Sequence, residues 1–159
     1  MSSSMKPRED TLARDFRAPA EQIYQALLDP EALVVWLPPD GMTGRFEHFD
    51  PRPGGGFRMV LTYERPDEAD PKSTGDADIV EARFVALVPN ERVVQAIDFE
   101  SDDPAFAGTM TMVWSLTPTA TGTLVMISAT DVPPGIRPED HLAGFASTLV
   151  HLAAYLESK

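Results

Sequence analysis

From Arg45 onward apolar side chains return at every second position, whereas between Pro19 and Trp36 and after Arg137 they return at every third or fourth. Phe57, Met59, Leu61 and Tyr63 alternate with Arg58, Val60, Thr62 and Glu64, the mark of a strand buried on one side. Four further runs, IVEARFVALV, RVVQAIDFE, GTMTMVWSL and GTLVMISAT, read as strands too. They are parted by PNE, SDDPAFA and TPTAT, short turn sequences that imply an antiparallel meander. Upstream, TLARDFRAP alternates Leu12, Arg14 and Phe16 with charged or small residues and reads as a first strand.

The helical period appears in two places. In PAEQIYQALLD, Pro19 suits the first helical position and Glu21 the positive helix end, while Ala20, Ile23, Tyr24, Leu27 and Leu28 form an apolar face. Asp29 then reads as an N-cap for a second short helix, PEALVVW, that stops before Pro38 and Pro39. At the C-terminus, Pro138 opens a long helix with Glu139 and Asp140 in its first turn. Leu142, Phe145, Ala146, Leu149, Leu152, Ala153 and Leu156 give it an apolar stripe about 20 Å or more in length.

Strand, two short helices, five or six strands and a long helix make an α+β chain. An antiparallel sheet must bury one face, and only the last helix is long enough to cover it. The expectation is a helix-grip fold: a curved antiparallel sheet of about six to seven strands around the C-terminal helix. Residues 1–10 are expected to form a disordered lead and residues 11–159 one domain; no repeat or composition shift marks a second.

Composition narrows the partners. The 159 residues carry a net charge of −12, which disfavours nucleic acid and anionic membrane surfaces. There is no cysteine, so disulfides, thiol nucleophiles and thiolate-bound metals are excluded. With neither a secretory leader nor an apolar run of spanning length, a cytoplasmic location is expected.

Candidate chemistry is sparse. FDPRPGGGF lacks a phosphate-loop signature and is followed by a strand, so Gly54 to Gly56 read as a strand reversal. His48 and Asp50, two apart on a strand, form either an acid–base pair or a surface pair. His141 lies in the first turn of the long helix; His151 is about 80° round from it, so the two do not make a metal pair. No metal and no cofactor is expected. Met110, Met112, Trp114 and Leu116 share one strand face, and Phe57, Met59, Leu61 and Tyr63 another. These faces serve equally to fill a core or to wall a pocket for an apolar ligand. Gln95, alternating with Val93 and Ile97, points inward as a polar group among them, and Ser128 and Tyr63 are further polar candidates. Glu81 and Asp98 fall on the solvated face, and the acidic runs PDEADP and ESDDP read as solvated loops.

Four segments, APAEQIYQALLDPEALVVWL, FDPRPGGGFRM, LVPNERVVQAIDFE and GFASTLVHLAAYLE, resemble the AHSA1-like (activator of Hsp90 ATPase homologue-like) family. That family lies within the START/Bet v 1-like, polyketide cyclase-like (SRPBCC) superfamily, and the resemblance runs from about Thr11 to Leu156. It implies a cavity between sheet and C-terminal helix, bordered by Trp36, Phe57, Met59, Leu61, Tyr63, Gln95, Met110, Met112, Trp114 and Phe145. The function expected is binding of a small apolar or aromatic molecule. The alternatives are a cyclase-like enzyme drawing on His48, His141 or Tyr63, and an interaction with an Hsp90-type chaperone. A homodimer through a free strand edge is compatible with any of these.

Overall fold

The computed structural model describes residues 8–39, 41–63, 77–99 and 103–158. Strand β1 (Glu9–Phe16) leads into helices α1 (Ala20–Leu28) and α2 (Pro30–Trp36). Six strands follow: β2 (Met42–Phe49), β3 (Gly56–Tyr63), β4 (Ala77–Val88), β5 (Arg92–Phe99), β6 (Thr109–Pro118) and β7 (Thr123–Thr130). Helix α3 (Pro138–Glu157) closes the chain. The seven strands form one sheet in the order β1-β7-β6-β5-β4-β3-β2, every pairing antiparallel. This is the α+β helix-grip read from the sequence.

The start of β1 corrects the expected lead. Glu9 and Asp10 already pair with Thr130 and Ala129 of β7, so the strand absorbs the end of the segment read as disordered. Residues 1–7 lie outside the described residues, as does the polar turn region at 64–76 with its acidic run. Of the second acidic run, Asp103 is described: its side chain accepts from the Ala105 N–H (2.9 Å) and caps a single 3-10 turn, Pro104–Phe106.

Because β1 and β2 occupy opposite edges, α1 and α2 must cross between them, which places α2 beside α3. Asp29 caps α2 as its sequence suggests, its carboxylate accepting from the Glu31 N–H at 3.0 Å. The inward faces of the strands and α3 share one core, with Phe84, Val93, Val125, Ile127 and Leu152 fully buried. On α3 the stripe is Phe145, Leu149, Leu152, Ala153 and Leu156; Ala146, counted with it from spacing, is exposed.

Two β-bulges bend the sheet, between Phe46 and His48 in β2 and between Phe84 and Ala86 in β4. The glycine loop docks on the second: Gly54 N–H donates to the Phe84 carbonyl (2.8 Å) and Phe84 N–H to the Gly55 carbonyl (2.9 Å). Gly54 adopts φ +87°, and a Cβ at Gly56 would strike the Ala82 carbonyl. The stretch is a turn, required to be small by the strand beside it.

Candidate functional site

Between the concave face and α3 lies a cavity of about 520 Å³, within the range of small-molecule sites. Alternation along each strand builds its wall. β3 supplies Phe57, Met59 and Leu61, β5 supplies Gln95 and Ile97, and β6 supplies Met110, Met112 and Trp114. Helix α2 adds Leu33 and Trp36, and α3 adds Phe145. Pro39, Arg137, Asp140 and Gly144 also line it and are exposed, so the mouth lies at the first two turns of α3.

Nine of the residues expected at the cavity are brought together there: Trp36, Phe57, Met59, Leu61, Gln95, Met110, Met112, Trp114 and Phe145. The same side chains are both core and cavity wall. Trp36 is 1% exposed, donates its indole N–H to the Ala26 carbonyl (3.2 Å) and meets Trp114 edge-on at 5.7 Å, yet it also forms cavity wall.

Three polar candidates are placed elsewhere. Tyr63 is not part of the lining; its hydroxyl donates to Asp78 Oδ2 at 3.1 Å, and Asp78 is the residue that reaches the cavity. Ser128 sits on the outer face of β7, where the buried positions are Thr123, Val125, Ile127 and Ala129, and its hydroxyl meets that of Thr11 at 3.3 Å. His48 is also outside. The bulge after Phe46 turns both Phe46 and Phe49 onto Phe57, leaving His48 exposed, 3.9 Å from Glu81. Asp50 does not orient it, because Arg52 takes both Asp50 oxygens, at 2.7 and 2.8 Å. The pair is a surface pair.

Inside, the polar groups are few. Gln95 is 8% exposed and has no hydrogen-bond partner among the described residues. Asp78 is 7% exposed; its Oδ1 has no partner among the described residues. The strongest constellation is one that sequence reasoning missed in half. His141 lines the cavity, its ring 4.3 Å from that of Phe145, and its Nδ1 lies 2.7 Å from Asp10 Oδ2. Arg8 grips the same carboxylate through Nε (3.3 Å) and Nη2 (2.8 Å). Burial alone would push the Asp10 carboxyl up, but the hydrogen bonds from Arg8 and His141, with the charges of both, hold it below the usual aspartate range.

Asp10 escaped notice because a polar residue at the start of a weak strand looks the same as one in a tail. The signal available was parity: Asp10 shares the inward phase of Leu12 and Phe16, as Asp78 shares that of Val80 and Ala82. Among the described residues there is no cluster of three or more metal-ligating side chains.

A family model described as activator of Hsp90 ATPase homolog 1-like protein matches residues 17–157. A comparison with curated protein sequences gives no match. Among solved structures, protein CV1439 from Chromobacterium violaceum is 32% identical with a TM-score of 0.80, the match covering 92% of this chain and 94% of that one. The AHSA1-like protein from Aeromonas hydrophila has a TM-score of 0.73 at 14% identity, over 95% of this chain and 93% of that one. DynU16, from the dynemicin biosynthetic locus, has a TM-score of 0.68 at 20% identity; the match covers 94% of this chain and 47% of that protein. At 14% and 20% identity, the last two speak for the fold alone.

Proposed function

This chain belongs to the activator of Hsp90 ATPase homolog 1-like family, and from that premise we propose that it binds a small apolar or aromatic molecule between the sheet and α3. One observation carries the reading: a cavity of about 520 Å³ whose wall is mostly aromatic rings, methionines and aliphatic side chains. Methionine adapts to irregular shapes, aromatic faces give broad contact, and a few inward polar groups would fix orientation. We place this activity in the cytoplasm; among the described residues no helix is long and apolar enough to cross a membrane.

The test is a titration with N-phenyl-1-naphthylamine, a neutral aromatic probe that brightens in apolar surroundings. Saturable, one-to-one binding with a rise in Tm is expected, since a ligand of the native state stabilises it by mass action. Native mass spectrometry of the freshly purified protein should show a copurified small molecule. Absence of saturable binding by this probe, with no mass above that of the bare chain, would overturn the reading. The Hsp90 partnership suggested by the family's description is a separate question, decided by whether saturating protein stimulates Hsp90 ATPase.

A further inference from the structure

We infer that Asp10 and His141 form a proton-transfer centre on the cavity wall, so that the cavity performs chemistry on an apolar carbon acid as well as holding it. This rests on the cavity being a small-molecule site.

The argument begins with what each ring nitrogen does. Nδ1 of His141 is 2.7 Å from Asp10 Oδ2, and the two side chains are only 12% and 6% exposed. An ionised carboxylate at that distance puts the ring proton on Nδ1 and leaves the Nε2 lone pair basic. Nε2 has no hydrogen-bond partner among the described residues, and the ring borders the cavity. A contact serving only to fasten α3 to β1 would not need to present the imidazole to an apolar void. Arg8 keeps Asp10 ionised beside the ring, its Nη2 (2.8 Å) and His141 Nδ1 (2.7 Å) sharing Oδ2.

The sheet register supplies a second group. Asp10 pairs with Ala129, Ala129 with Met112, and Met112 with Gln95, so one row across the sheet carries the dyad at one end and the free amide at the other. Three strand spacings, about 14 Å along the curved sheet, separate them. Gln95 is thus a second polar group on the same cavity wall, able to hold a carbonyl or nitro oxygen of a substrate lying along this row. The other charged groups around the mouth are Arg137, which precedes α3, and Glu139 and Asp140 in its first turn, with Arg137 paired to Glu139; Asp78 lines the same cavity. His141 is the catalytic residue of this proposal and Asp10 a positioning residue.

The step is tested with 5-nitro-1,2-benzisoxazole, a neutral fused-ring carbon acid. Nε2 takes the C3 proton, the C3–H electron pair completes a nitrile, and the N–O bond breaks with its electrons on oxygen. The product is 2-cyano-4-nitrophenolate, followed by its absorbance, and the imidazolium returns its proton to water. Binding is measured separately with 6-nitrobenzotriazole, an inert ring of similar shape. The wild-type protein should show a rising pH–rate profile. His141→Gln should lose about 100-fold in kcat/KM and the rising limb, with analogue affinity unchanged. Asp10→Asn should lose about tenfold in kcat with little change in KM. If the analogue binds but His141→Gln turns over the probe as fast as wild type, the proton-transfer centre is refuted and the binding site stands. If neither the analogue nor the naphthylamine probe binds, both readings fall. Should the His141 variant not fold, a wild-type rate that is flat with pH, or no faster than free imidazole, refutes the inference by itself.

Discussion

Gln95 carries a cost that a pure core residue would not. Its amide is buried at 8% exposure on an apolar wall and has no partner among the described residues. Replacing a polar group on an apolar wall should stabilise, so Gln95→Leu is expected to gain up to about 1 kcal/mol and about 2–4 °C in Tm. The same change should weaken binding of carbonyl-bearing aromatic probes relative to plain hydrocarbons. Denaturant titration with an unchanged m-value, beside the two affinities, checks both parts; a loss of stability would mean that the amide is satisfied in solution. Gln95 was legible in the sequence because strict alternation puts it beside Val93 and Ile97. Tyr63 had the same legibility and still went astray: period gives the side of the sheet, but not that a hydroxyl would be met by Asp78 before the void. His48 is a different case. One inserted residue at the bulge reversed its side, and no local sequence signal marks where a bulge falls.

At the level of elements, the Asp10–His141 contact fastens the two ends of the chain, because β1 is an edge strand and α3 lies against it. The Asp10 carboxyl is held below the usual range in the folded state. Its stabilising effect is therefore complete above the unfolded value of about 3.9 and is lost as pH falls through the lower folded value. Asp10→Asn should accordingly be less stable than wild type near neutral pH, and the Tm gap should close below about pH 4. A gap that does not narrow at all as pH falls below about 4 would show that shape, not charge, holds the contact. Gly56 is the other constraint at this scale. A methyl there meets the Ala82 carbonyl, so Gly56→Ala should cost about 2–3 kcal/mol in chemical denaturation, whereas a flexible turn would tolerate it. Helices, strands and their order were readable because each has its own period and caps. What lay beyond reach was the pairing of Asp10 with a residue 131 positions away, since no local pattern records that contact.

Across the whole molecule, several features share one direction: each weakens the fold and each borders the same space. The void forgoes dispersion contacts, Gln95 goes unpaired, and Gly144 interrupts the first half of an otherwise well-formed helix. Gly144 is the most telling, because a Cβ there would meet nothing within 4 Å, so packing does not require glycine. Helix propensity alone predicts that Gly144→Ala stabilises the protein by up to about 1 kcal/mol. Its position at the mouth supplies a reason for glycine that stability does not. A larger side chain should stand across the opening, so Gly144→Phe should slow uptake of the naphthylamine probe at least about tenfold by stopped-flow fluorescence, with the far-UV spectrum unchanged. Gly144→Ala should leave uptake near the wild-type rate while raising Tm. Equal uptake by all three proteins would place the route to the cavity elsewhere and leave the helical glycine without a physical explanation; graded blocking would tie a cost in stability to access.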